Sequence, residues 1–238
     1  MIEIKNRFDG TVLFSGNFDT IVAAVLAAIK EKKDLRYANL SSANLRYANL
    51  RSANLSSANI SYADLRYANL RYANLSYADP RYANLSSADL SYANLRYADL
   101  RYADLGSADL SYADLSSANL RYANLSYADL RSANLRYANL SYANLRSANL
   151  DFSCLSFSCK TLHTKFDQKH IIQILYHAAM PTRNNELKLD KEVLALLRSK
   201  AFKAVVNKFH RVKECNEFTG PKVAKKKGTI LATKQTRR

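Results

Sequence analysis

A chain of 238 residues with five Gly, three Pro and no Trp, but with sixteen Tyr and a formal charge of +16, is not composed like an ordinary globular domain. The charge is uneven: residues 1–35 carry five basic against five acidic groups, residues 36–150 twelve Arg against eight Asp, and residues 151–238 nineteen basic against seven acidic. The most apolar stretch, residues 21–29, is too short to span a bilayer, and no basic start precedes a long apolar core, which predicts a cytoplasmic chain without membrane insertion.

Residues 1–35 read as a strand and helix cap. Ile2-Glu3-Ile4-Lys5 alternates, a second short strand follows over residues 11–14, and Asp9-Gly10 between them marks a hairpin. Asp19 or Thr20 is placed to cap a helix over residues 21–33, whose apolar face would cover whatever follows.

From Ala38 to Leu150 the pattern Ala-[Asn/Asp]-Leu-[Arg/Ser/Gly]-[Tyr/Ser] recurs twenty-three times without insertion, and only Ile60 and Pro80 replace the Leu. An α-helix turns about 100° per residue, so residues five apart drift about 140° and no face would be apolar. A continuous strand fails too, because an odd period sends successive leucines to opposite faces. The pattern works if the chain turns a corner in each unit, pointing every Ala and Leu inward and the other three residues outward. Four corners close a coil of twenty residues, and six coils stacked at about 4.8 Å make a rod on the order of 29 Å long. Leu40, Ala63, Leu100, Leu120 and Leu140 mark the expected core ladder.

The unit Ala-[Asn/Asp]-Leu-[Ser/Arg]-x resembles the pentapeptide repeat family. The resemblance implies an all-β solenoid core, a right-handed quadrilateral β-helix over residues 36–160, and it agrees with a strand and helix cap at the start. Ile60 and Pro80 are neighbours in one column of a twenty-residue coil, where packing is expected to be poorest. Pro80 has no N–H and reads two ways, as a missing inter-coil hydrogen bond with a slight bend or as a position where no bond is needed.

After residue 155 the pattern decays, with Phe152 and Phe157 at former Tyr positions. Residues 161–220 are expected to hold C-terminal α-helices over 167–180 and 191–209. The second carries Val193, Leu194, Leu197, Phe202 and Val205 on one face, more apolar surface than one coil end needs, which points to a homodimer. Residues 221–238 read as a basic disordered tail in which Lys225, Lys226 and Lys227 are candidate anion-binding groups.

No constellation supports catalysis, and neither a cofactor nor a metal is expected. Asp at 64, 79, 89, 99, 104, 109, 114 and 129 alternates with chemically equivalent Asn, an exchange that a catalytic carboxylate would not tolerate. His170 and His177 could share a helix face but lack a third ligand. Cys154, Cys159 and Cys215 have neither zinc-site nor disulfide-framework spacing and read as free thiols.

Stacked every twenty residues, Tyr62, Tyr82, Tyr102, Tyr122 and Tyr142 form one unbroken column beside Ser61, Arg81, Arg101, Arg121 and Ser141. That face could stack on bases and grip phosphates, or the rings could stack on one another and stiffen the rod. Two functions therefore remain open. One is a noncatalytic scaffold for an unidentified protein partner. The other is binding of nucleic acid, weak and nonspecific, or of an anionic surface through the Arg/Tyr face and the Lys-rich tail. The resemblance also raises topoisomerase (gyrase) interaction by DNA mimicry, which repeats with a net charge of +4 oppose, and ice binding, for which residues 36–155 lack any Thr.

Overall fold

The computed structural model describes residues 1–151 and 153–155, and one backbone unit accounts for most of it. In the unit 99–103, the Asp99 N–H donates to Ala78 of the preceding coil at 3.0 Å, while Leu100 and Tyr102 donate to Asn119 and Arg121 of the following coil at 2.8 and 3.2 Å. Ala103 N–H returns to Leu100 C=O at 3.1 Å, closing a turn. The remaining donor, Arg101 N–H, reaches Oδ1 of Asp99 at 3.3 Å. All five backbone donors of the unit are satisfied, four by main chain and one by the Asp/Asn side chain.

Repetition of that unit links residues twenty apart as parallel bridges, from Asn39↔Asn59 to Asp129↔Asn149. The elements in chain order are β1 (Ile2–Asn6), β2 (Val12–Gly16), α1 (Ile21–Lys30), β3 (Ala38–Asn39), β4 (Asn134–Leu135) and β5 (Cys154–Leu155). β4 and β5 pair in parallel, Asn134 with Cys154 and Leu135 with Leu155, so the twenty-residue register holds to residue 155.

Each corner is a turn whose third residue, Tyr or Ser, sits in the left-handed region at φ of 56–62° from Tyr37 to Ser147. A positive φ at that place is what a type II turn requires, and it normally selects Gly. The turn directs every Ala and Leu inward, and from Ala38 to Leu150 none of them exceeds 7% exposure. Leu40, Ala63, Leu100, Leu120 and Leu140 lie at 0–2%.

Pro80 is buried in the same column as Ile60 and Leu100. The N–H groups of Ile60 and Leu100 donate to Asp79 and Asn119 in the following coils, so Pro80 stands where a donor is used by its neighbours. The bridge ladder runs Asn59↔Asp79, then resumes at Asp99↔Asn119, skipping the pair that Pro80 would have supported. The Pro80 carbonyl still accepts from Ala83 at 3.0 Å, so the corner itself is kept.

The start of the solenoid is covered as the hairpin pattern suggests, with shifted boundaries. β1 pairs antiparallel with both β2 and β3, giving the sheet order β2-β1-β3 and laying the hairpin against the first coil. Gly10 takes φ of 72° in the connecting turn. Thr20, not Asp19, caps α1, its hydroxyl accepting Ala23 N–H at 3.2 Å. The helix ends at Lys30 rather than at residue 33, because Lys32 adopts φ of 56°. Lys32 N–H then bonds Ile29 and Lys33 N–H bonds Ala28, a Schellman closure. Ala24, Val25 and Ala28 are buried in one cluster with Ile4, Phe14 and the first coil.

The expected helices over 167–180 and 191–209, the apolar face Val193, Leu194, Leu197, Phe202 and Val205, and the tail with Lys225, Lys226 and Lys227 lie outside the described residues. Among the described residues, no helix is long and apolar enough to cross a membrane.

Candidate interaction surface

The outward residues are organised as columns, and the columns interact along their own length. Tyr62, Tyr82, Tyr102, Tyr122 and Tyr142 stack ring on ring with centroids 4.8–4.9 Å apart and planes within 14° of parallel. Shorter stacks occupy the other corners: Tyr72–Tyr92–Tyr112, Tyr47–Tyr67 and Tyr77–Tyr97. The centroid spacing is that of the coils, so each ring rests on its copy one coil away. A base could not enter an interior gap of this width without unstacking the column.

The residue two places before each Arg decides where its guanidinium goes. After Asp the Arg forks back onto the carboxylate, at closest distances of 2.6 Å for Arg66–Asp64, 2.7 Å for Arg81–Asp79 and 2.6 Å for both Arg101–Asp99 and Arg131–Asp129. After Asn there is no carboxylate two residues back, and at Arg46, Arg51, Arg71 and Arg121 the guanidinium lies over Tyr instead, while Arg96 both lies 5.7 Å from the Tyr97 centroid and reaches Asp114 of the next coil at 3.9 Å. Arg46 sits 4.9 Å from the Tyr47 centroid, Arg51 4.9 Å and Arg71 5.2 Å from that of Tyr72, and Arg121 4.9 Å from that of Tyr122. Of the three arginines beside the long Tyr column, Arg81 and Arg101 therefore turn away to Asp79 and Asp99. Only Arg121 lies against the rings, its Nη2 also donating to the Tyr122 hydroxyl at 3.3 Å.

One charged network ties the cap to the second and third coils. Arg7 donates to Ser57 C=O at 3.1 Å and approaches Asp79 at 3.5 Å, while Arg81 bridges Asp79 and, at 3.7 Å, Asp99. Burial is the largest single influence on Asp79 and opposes its ionisation. The Arg81 side-chain and backbone hydrogen bonds, with the charges of Arg81 and Arg7, outweigh it and hold the carboxyl below its ordinary 3.8. At Asp64 the hydrogen bond from Arg66 leads and likewise lowers the value.

Sequence reasoning found the Tyr column but missed three features of this surface. The Asp/Asn rule for Arg was legible in the spacing i, i+2. The Arg7–Asp79 link was not, since it joins residues 72 apart. Ser61, Ser91 and Ser111, outward by pattern, are buried to 8% exposure or less. An open cleft of about 440 Å³, lined among others by Ile29, Lys32, Lys33, Leu35 and Ala53, lies where the end of α1 meets the first coil. Among the described residues no group of His, Cys, Asp or Glu is arranged to hold a metal ion.

A family model described as pentapeptide repeats, in eight copies, matches residues 34–71, 63–101, 98–136 and 128–159, a continuous segment longer than half of the 238-residue chain. Similar solved structures include a pentapeptide repeat protein, Rfr23, from the cyanobacterium Cyanothece 51142, at 38% identity over 44% of this chain and 64% of that one, with a TM-score of 0.36. HetL, a pentapeptide repeat protein involved in heterocyst differentiation regulation in the cyanobacterium Nostoc sp. strain PCC 7120, is 37% identical over 48% of this chain and 65% of that one, with a TM-score of 0.29. QnrB1, a plasmid-mediated fluoroquinolone resistance protein, is 16% identical over 60% of this chain and 84% of that one, with a TM-score of 0.37. The chain thus spans just under two thirds of the length of Rfr23 and of HetL. No curated protein matches it.

Proposed function

Because the chain belongs to the pentapeptide repeat family, we propose that it is a noncatalytic scaffold whose outer columns bind a protein partner and which pairs as a homodimer through the apolar face Val193, Leu194, Leu197, Phe202 and Val205. The observation that carries this reading is how the outward side chains are used. Asp and Asn serve interchangeably as acceptors for the N–H two residues on, as Asp104 does for Gly106 at 3.0 Å and Asn124 for Ser126 at 3.1 Å. A carboxylate needed for chemistry would not share its position with an amide. Surfaces whose groups satisfy one another are suited to being recognised by shape and pattern.

A second reading rests on charge. Nineteen basic against seven acidic groups over residues 151–238, including Lys225, Lys226 and Lys227, favour nucleic acid or another anionic surface. Within the repeats, five of the arginines are already neutralised by carboxylates at 2.6–2.7 Å, which leaves that role mainly to the tail. Topoisomerase binding by DNA mimicry ranks last, because repeats of net charge +4 would meet a basic DNA-binding saddle with like charge.

Affinity capture with the full chain, with and without nuclease treatment, tests the scaffold reading. A protein partner retained after nuclease supports it, and loss of every captured species on nuclease treatment shifts the assignment to nucleic acid. Sedimentation at twice the monomer mass across micromolar concentrations is the expected result for the dimer; monomer mass throughout would exclude it.

A further inference from the structure

We propose that the column Tyr62–Tyr82–Tyr102–Tyr122–Tyr142 is a binding site for an elongated planar π system lying flat along the solenoid axis. Each interior ring has a neighbouring ring over both faces, at 4.8–4.9 Å between centroids. The negative ring faces are therefore consumed within the column, and the positive ring edges are what it presents outward. All five rings keep 38–62% of their surface exposed. A row of positive edges is complementary to the negative face of a flat aromatic ligand, which can make one edge-to-face contact per coil.

Length selects the column. Five rings at coil spacing span four gaps of 4.8–4.9 Å, about 20 Å between the end centroids, a continuous track for a ligand several fused or conjugated rings long. The other corners break the track with Ser: the next longest stack has three rings, Tyr72, Tyr92 and Tyr112, and Arg51 and Arg71 already lie over Tyr72. At the long column Arg81 and Arg101 are drawn off to Asp79 and Asp99, which clears Tyr82 and Tyr102 of competing guanidinium groups and leaves Arg121, over Tyr122 at 4.9 Å, at the far end of the track.

An uncharged 2-(4-dimethylaminophenyl)benzothiazole dye is the probe, because it has no charge to be drawn to a chain of net charge +16, keeps the electron-rich face that the ring edges require, and emits more strongly when held out of water. Full-length protein should enhance the emission and saturate near one dye per chain while sedimenting without aggregates. The triple variant Tyr82→Ser/Tyr102→Ser/Tyr122→Ser should bind about tenfold or more weaker, three edge contacts being lost. Ser already occupies this turn position at Ser87, Ser107 and Ser117 with φ of 57–58°, so the variant retains a residue the corner accepts, and an unchanged circular dichroism spectrum verifies it. Tyr72→Ser/Tyr92→Ser/Tyr112→Ser should leave binding within about twofold, its column being too short to serve. No enhancement with the wild-type chain, equal loss in both triple variants, or emission confined to sedimenting aggregates would overturn the assignment.

Discussion

A side-chain oxygen at the second position of each unit completes the backbone, and this explains an alternation that otherwise looks random. Asp104 Oδ1 accepts Gly106 N–H at 3.0 Å and Asn124 Nδ2 at 2.8 Å, and neither bond needs a negative charge. Asp104→Asn should therefore melt within about 0.5 kcal/mol of wild type, whereas Asp104→Ala, which orphans a part-buried donor, should cost about 1–3 kcal/mol by denaturant titration. The turn position has the opposite tolerance. Tyr and Ser at φ near 60° carry a backbone cost of about 1–2 kcal/mol each, which ring stacking of about 0.5–1.5 kcal/mol offsets at Tyr and nothing equivalent offsets at Ser. Ser107→Gly should accordingly be neutral or stabilising. Ser107→Val places a β-branched residue in the left-handed region and should lower the melting temperature clearly. Equal melting of the two variants would mean that Ser107 is not held at positive φ.

At the scale of elements, Pro80 and the cap are two places where the regular coil is modified. Pro80→Leu restores an N–H opposite Asp99 and fills the column, and should raise stability by roughly 1 kcal/mol, read as a higher denaturant midpoint at unchanged slope. The cap is held partly by charge. Asp79 titrates below 3.8 when folded and near it when unfolded, so its contribution is present above that pH and is lost as pH falls through the folded value. Asp79→Asn should thus flatten the acid limb of stability below about pH 4, with little change in its shape near neutrality. The solenoid was legible in the sequence because a five-residue period with two apolar positions, Ala and Leu, is incompatible with helix and flat strand alike. Boundaries set by single backbone angles were not: α1 ends three residues early because Lys32, with no glycine to announce it, takes a positive φ. The partners of Arg were half legible, since Asp two residues back is visible in the chain and Asp99 reaching Arg81 from the next coil requires the stacking to be known. Ser111 shows the limit of inside-and-outside patterning, because an outward direction did not ensure exposure once neighbouring side chains covered it.

For the whole molecule, charge and register are separable properties. Deleting residues 222–238 removes seven of the nineteen basic groups that follow residue 150 and none of the residues of the coils. The melting transition should be unchanged, while nonspecific DNA binding should weaken and its dependence on the logarithm of salt concentration should become shallower. A salt-independent affinity in the full chain would contradict the electrostatic account. Register has a different consequence. Bridges join residues twenty apart along all four sides, and a corner recurs every five. The molecule consequently has a phase, with a unit equal to one corner. Excising twenty residues, such as 101–120, shortens the stack and brings Tyr82 directly beneath Tyr122. Excising five, such as 106–110, leaves every inward position apolar, yet advances everything downstream by a quarter turn. Tyr102 would then adjoin Tyr127 rather than Tyr122, and the display would be shifted around the axis while the core stayed intact. Repeat number in such a chain is read by a partner modulo four, so two variants of nearly equal length and stability can present entirely different faces.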